Sequence, residues 1–349
     1  MRPLVILLAV ACAEPQTNPP KASPAALWVL ESDYNTGLIS GWDESFTKIP
    51  HAEAPSDGDA HLLQIADQLV LLQRGHGDNL VLFDLDLTIR DQWALPDRSN
   101  PQDALLIGDT LWLSLYHESY ILRLDANTGA ALSNIDLSRF NDADQRPEAS
   151  SFLHSKSGLI YLILQNLDFS GVEPIPPQQS RLLIFNSNME LIDDLAIPSN
   201  PFGSMVEQAD GSILMACNSG WDIVQNAGLW RFDPQSGDGA FLVKESALGG
   251  NILSFSATQE EVFLVISKND FSTSLRRFGL TDQQLSQEFS GPGQQLGCVQ
   301  TLSDGHSWVC DRSSANFGLR HIDANAMSIS NNLISTQLPP RQIIENQAP

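Results

Sequence analysis

Residues 229–237 read LWRFDPQSG, and close variants of the phrase return as LRLDANTG at 122–129, LLIFNSN at 182–188 and LRHIDAN at 319–325. Each is a short apolar run, then an acidic or amide residue, then turn-forming residues. Asp and Asn side chains accept hydrogen bonds from nearby backbone N–H groups and so start turns. The phrase is therefore the end of one strand and the corner into the next.

A longer repeat surrounds it. Strongly apolar strands centre on Trp28, Val70, Trp112, Tyr161, Leu214, Phe263 and Trp308, at spacings of 42, 42, 49, 53, 49 and 45 residues. A second strand follows each and ends at Trp42-Asp43, Phe83-Asp84, Leu124-Asp125, Phe185-Asn186, Phe232-Asp233, Phe278-Gly279 or Ile322-Asp323. Hairpin signals in VEQADGSILM, VQTLSDGHSWV and HSKSGLIYL put another strand ahead of the apolar one. A more polar strand follows the corner, as in LTIRDQWAL and AALSNIDL. No segment longer than about ten residues has a helical apolar period, so helices should be scarce. Four strands in about 45 residues are the signature of a propeller blade. The expected fold class is all-β, a seven-bladed β-propeller of four-stranded antiparallel blades.

The first repeat lacks its leading strand, while LPPRQIIE at 338–345 resembles the segments entering other blades. Residues 341–345 are expected to supply the missing inner strand beside Trp28, closing the ring and removing an open sheet edge. The ring then forms a single domain over 26–345, with a tail at 346–349.

On this architecture the chain resembles bacterial seven-bladed propellers of the YVTN/lactonase-like kind, which include exported lipoproteins. The resemblance covers 26–345 and rests on the repeat, since no YVTN motif is present. LDANTGAAL at 124–132 is similar to the Asp-x-x-Thr-Gly blade motif of PQQ-type propellers. It occurs once, without the Trp that follows it there, and no cofactor is expected.

The opening MRPLVILLAVACAEP has one positive charge and a run of apolar residues from Leu4 to Ala11. That run is too short to cross a bilayer but fits a signal-peptide core, giving a signal peptide at 1–11. AVAC resembles the bacterial lipobox, which implies a lipidated Cys12, although Ala9 stands where the family usually has Leu. AVA also satisfies the small-x-small rule of the ordinary signal peptidase at the same bond, and both readings export the protein. By resemblance to lipoprotein sorting, Ala13 in place of Asp suggests the outer membrane. Residues 12–25 combine Cys12 with a Pro-rich tether. Against 19 Lys+Arg stand 42 Asp+Glu, a net charge of −23. That balance argues against nucleic acid and against anionic membrane surfaces, leaving the lipid anchor as the membrane contact.

The loops joining second to third strands and the interblade connections share one rim, where propeller ligands collect over the channel. From these loops Phe169, Trp221, Asn218, Lys268 and Arg312 are candidate binding residues. Loop aromatics can stack on sugars or anchor a protein, and can equally fold back over the blade. His76, His117 and Glu118 lie in corresponding loops of neighbouring blades. A metal needs three or four ligands with firm support, and scattered surface residues look the same, so no metal is expected. No HExxH, EF-hand, Walker A or GxSxG pattern appears. In CVQTLSDGHSWVC a turn at 303–305 sets Cys298 opposite Cys310, and export permits the disulfide. Cys217, on a central strand, reads as a buried thiol.

The expected function is a non-catalytic binding or scaffolding module at the cell envelope, taking a protein or glycan ligand. The alternative is an envelope hydrolase or lactonase-like enzyme. A deep funnel with converging His and carboxylates would favour the enzyme, a flat or plugged mouth the binder.

Overall fold

A computed structural model describes residues 25–74, 77–171, 177, 179–219, 226–289 and 293–347. The signal segment, Cys12, His76 and Trp221 lie outside the described residues, as does most of the tether. Seven antiparallel sheets follow one another as the blades of a β-propeller. Blade 1 orders Pro340–Glu345, Leu27–Ser32, Thr36–Trp42 and Lys48–Asp57 from the inside out. Blade 2 runs Ala60–Ile65, Gln68–Gln73, Asn79–Asp84, Ile89–Ala94, and blade 3 runs Pro101–Ile107, Thr110–Leu115, Tyr120–Asp125, Ile135–Asp136. Blade 4 runs Ala149–His154, Ile160–Leu164, Gln179–Phe185, Leu191–Pro198, and blade 5 Pro201–Glu207, Ile213–Cys217, Gly228–Asp233, Asp238–Lys244.

The last two blades are less regular on the outside. Blade 6 has Asn251–Ala257, Glu261–Ser267 and Thr273–Gly279, and its fourth strand shrinks to one bridge between Phe278 and Leu285. Blade 7 has Leu296–Thr301, Ser307–Asp311 and Gly318–Asp323, with its outer strand split into Ser328–Ile329 and Ile334–Ser335. Helix among the described residues is confined to Glu245–Leu248 and a 3₁₀ turn at Ser138–Phe140.

The corner phrase works as its chemistry requires. Asp125 Oδ1 accepts from the Asn127 and Thr128 amides at 3.0 and 2.9 Å. Asp43, Asn186, Asp233 and Asp323 also accept turn amides through a side-chain oxygen. In blade 2 this role falls to Asp86, which accepts from Thr88 N at 3.1 Å. Gly129 completes the blade 3 corner at φ +68°, where a Cβ would meet the Trp93 ring of blade 2 at 2.6 Å. The three hairpin signals fold alike: Ser155, Gln208 and Leu302 each donate a backbone bond four residues on, at 2.8–2.9 Å.

Alternation along each strand sends successive side chains to opposite neighbours. Trp28 and Leu30 pack toward blade 2, against Leu62, Leu69 and Phe83. Leu27 and Val29 pack toward blade 7, against Cys310 and Leu319. Seven such buried clusters fill the seams between adjacent blades. No blade has a core of its own, so the ring is the folding unit.

Ring closure pairs Trp28 with Ile344 and Val29 with Ile343. Buried Glu31 reinforces it, accepting from the Gln337 and Leu338 amides at 2.8 and 2.9 Å and from Ser40 Oγ at 2.5 Å. Cys298 and Cys310 are joined in a disulfide across the blade 7 hairpin, with Cα atoms 5.0 Å apart. Cys217 is free and buried, and burial together with the Glu245 charge pushes its thiol pKa up.

Candidate functional site

The inner strands leave a central funnel of about 760 Å³. Side chains stitch its wall from blade to blade. The Gln342 amide bonds both backbone groups of Leu62, at 3.1 and 2.8 Å. Asp103 accepts from Phe152 N at 2.7 Å, and Ser254 from Val299 N at 3.2 Å. The residue just past a second strand often does the same on the rim: Gln165 donates to Pro201 O at 2.6 Å.

One side of the funnel, from blades 7, 1 and 2, is cationic. Arg74 and Arg341 share Oδ1 of Asp59 at 2.7 and 2.6 Å. Arg74 also donates to Gln102 Oε1 at 2.8 Å, and Arg341 to Gly58 O at 3.1 Å. Arg312 donates to the carbonyls of Pro339, Pro340 and Ser32 at 2.9–3.2 Å. Carbonyls satisfy its donors without cancelling its charge. Both Arg312 and Arg341 stack on Tyr34, 4.9 and 5.6 Å from the ring centroid, and that ring is 68% exposed. Three guanidinium groups thus face one carboxylate partner.

The opposite side is apolar. Phe202 of blade 5, and Leu253 and Phe271 of blade 6, line the funnel and remain exposed. With Tyr34 they make up four of the eight exposed large hydrophobic residues described, concentrated at one mouth. Such a concentration marks a surface built to be covered.

Two titratable groups are set into the wall at the cationic side, His61 on the inner strand of blade 2 and Asp103 on that of blade 3. Burial pushes the His61 imidazole down to about 3, assisted by the charges of Arg74 and Arg341 and opposed by Asp59. His61 is therefore neutral at pH 7. Burial raises Asp103 to about 7, against the backbone amides of Phe152 and Ala104 that favour its charged form. For Asp59, burial also resists ionisation, but the two arginines outweigh it and hold the carboxyl below its usual range.

Of the residues singled out from the loops, Arg312 lines the funnel. Asn218 faces blade 6, its amide exchanging bonds with Ile252 O and N at 3.0 and 3.2 Å. Lys268 is ion-paired with Glu288 at 2.7 Å. Phe169 is 40% exposed and meets Tyr116 edge-on, with centroids 6.1 Å apart. His117 holds its Nδ1 at 2.9 Å from Arg98 O, and Glu118 donates its amide to Leu115 O at 3.4 Å. Loop reading missed His61, Asp103, Tyr34 and Arg341. Arg74 lies in the loop QRGHGDN at 73–79, yet nothing local set it apart.

No protein-family model matches the chain, and no curated protein sequence does. Among solved structures it is similar to a putative 6-phosphogluconolactonase from Bacteroides fragilis NCTC 9343, with TM-score 0.63 and 12% identity over 91% of this chain and 96% of that one. It is also similar to virginiamycin B lyase from Staphylococcus aureus, with TM-score 0.57 and 11% identity over 79% and 84% of the two chains. A third is dihydro-heme d1 dehydrogenase NirN, with TM-score 0.60 and 15% identity over 95% and 77%. At these identities the likeness carries the β-propeller fold.

Proposed function

We propose that this chain is an exported propeller, lipid-anchored through Cys12, that takes a small organic anion with an apolar body into its central funnel. The observation carrying the reading is the Arg74–Asp59–Arg341 cluster with Arg312 beside it, an excess of positive charge inside a chain of net charge −23. A cationic recess in an acidic protein focuses its field on the recess and draws anions there. Guanidinium forks suit carboxylate or phosphate groups, and the Phe202–Leu253 side would cover an apolar body. Export rests on the segment 1–11, with the Cys298–Cys310 bridge in keeping with an oxidising compartment.

A second reading, a hydrolase or lactonase-like enzyme, is favoured by His61 and Asp103 in the same funnel. A carboxyl near 7 can give or take a proton at working pH, and a neutral imidazole can hold a substrate by a hydrogen bond. The names of two structural neighbours, a lyase and a putative lactonase, point the same way.

A thermal-shift screen of aryl and alkyl carboxylates, phosphates and lactones tests both. Capture predicts stabilisation by anions that disappears in Arg341→Gln and Arg74→Gln. Stabilisation unchanged in both variants would place the ligand elsewhere. Turnover of any lactone, lost in His61→Ala while binding persists, would decide for the enzyme. Detergent partitioning of wild type, lost in Cys12→Ala, tests the anchor.

A further inference from the structure

The connection from blade 3 to blade 4 reads NDADQRPE at 141–148. It brings one carboxylate oxygen from each of Asp142, Asp144 and Glu148 within 4.8 Å of one another. The geometry points to a binding site here for a hard divalent cation of the Ca²⁺ class.

Acidic clusters are common on acidic proteins, and the decisive feature is Glu148. It is completely buried, and neither of its carboxylate oxygens has a hydrogen-bond partner. The Leu167 amide lies nearby but outside hydrogen-bond geometry. Oδ2 of Asp142 is likewise buried and unpartnered. A buried carboxylate without donors is costly, and native folds supply such groups with donors, a charge partner or a metal. Among the described residues no Lys or Arg is ion-paired with any of the three, Arg146 included.

The donor set names the ion class. Every converging ligand atom is oxygen, which suits hard cations and not thiolate- or imidazole-seeking ones. Two more buried, unpartnered oxygens, Asn141 Oδ1 and Asn166 Oδ1, lie on the same connection and on the facing loop. Oxygens bound to one Ca²⁺ at about 2.3–2.6 Å can stand up to about 5 Å apart, whereas Mg²⁺ needs them within about 4.2 Å. The three carboxylate oxygens, all within 4.8 Å of one another, fall inside the Ca²⁺ span.

The loop is already turned for the task. Asp142 Oδ1 accepts from Asp144 N at 3.2 Å, and Asp144 Oδ1 from Arg146 N at 3.0 Å. Asp144 Oδ2 accepts from Phe169 N at 3.2 Å, linking the site to the rim loop of blade 4. A bound ion would lock these segments beside Tyr116 and Gln165, whose 2.6 Å hydrogen bond lies on the funnel wall. The site is independent of any funnel ligand.

The test is calorimetric titration of chelator-treated protein with Ca²⁺, and separately Mg²⁺, alongside melting curves. One Ca²⁺ should bind per chain, raising the melting temperature by about 3 °C or more at saturation. Mg²⁺ should bind at least ~10-fold more weakly. Asp144→Asn, at a half-exposed position, should weaken Ca²⁺ at least ~10-fold without unfolding the ring. Glu148→Gln should melt above metal-free wild type and ignore Ca²⁺. No saturable Ca²⁺ binding at millimolar levels, or binding that both variants leave intact, would overturn the assignment.

Discussion

Trp28 and Ile344 stand opposite each other in the antiparallel ladder between the first strand of the ring and its last. Beside them Ile343, 4% exposed, packs into the seam shared with blade 7. The closing strand thus contributes to two seams, one on each side of blade 1. Ile343→Ala should cost about 2–4 kcal/mol in urea unfolding, as core truncations do. Ending the chain before residue 338 should expose the edge of Leu27–Ser32, remove the Leu338 amide that Glu31 binds, and produce aggregates on size-exclusion chromatography. A monomeric truncation with wild-type stability would refute closure as the source of cohesion.

Reduction tests the blade 7 hairpin. The bridge spans 12 residues, Cys298 to Cys310, and constrains the unfolded chain. Cys298→Ala with Cys310→Ala should lose about 2–3 kcal/mol. Cys217, buried with its thiol pKa raised, should resist alkylation until the ring unfolds. Peptide mapping with and without denaturant reads both, and rapid native labelling of Cys217 would contradict its burial.

Glu245 gives a pH signature. It is fully buried, and burial raises its pKa to about 7 against the hydrogen bonds of Ser219. Between about pH 4.5 and 7 the folded state therefore holds more protons than the unfolded state, so this group's contribution to stability falls as pH rises through that window. Glu245→Gln removes the slope. Relative to wild type it should gain on the order of 2 kcal/mol between pH 5 and pH 8. His61 has the opposite sign: its depressed pKa means that stability is lost as pH falls from about 6.5 toward 3. Melting curves of Glu245→Gln and His61→Gln across pH 4–8 should separate the two.

Strands and corners were legible in the sequence because each blade solves the same packing problem. Trp28, Tyr161 and Phe263 recur at matched places and are all buried. The funnel was not legible. Arg341 and Asp59 meet only because the ring closes, 282 positions apart in the chain. His61 and Asp103 occupy inner-strand positions where a polar residue reads as ordinary alternation. The rim loops drew attention as ligand carriers, yet Asn218 and Gln165 also spend their amides holding the next blade. Even the corner had a local exception, at Asp86. The buried carboxylates of 142–148 looked like a solvated connection, because burial of Glu148 depends on the facing loop rather than on its own neighbours.

Anion capture in the funnel should weaken as pH rises through about 7. Asp103 is the group responsible: set into the wall and raised to about 7, it is half protonated there and gains a negative charge above it. That charge opposes an incoming carboxylate or phosphate and partly offsets Arg74, Arg312 and Arg341. His61 contributes no step between pH 5 and 9, since it is already neutral above about 3. Asp59 contributes none, because the two arginines keep it ionised. With benzoate and phenyl phosphate as probes, binding measured from pH 5.5 to 8.5 should decline several-fold across one titration. Asp103→Asn should flatten the profile and retain the affinity seen at low pH, while Arg341→Gln should lower the whole curve without moving its midpoint. A profile unchanged by Asp103→Asn would assign the pH dependence to the ligand and separate Asp103 from the site.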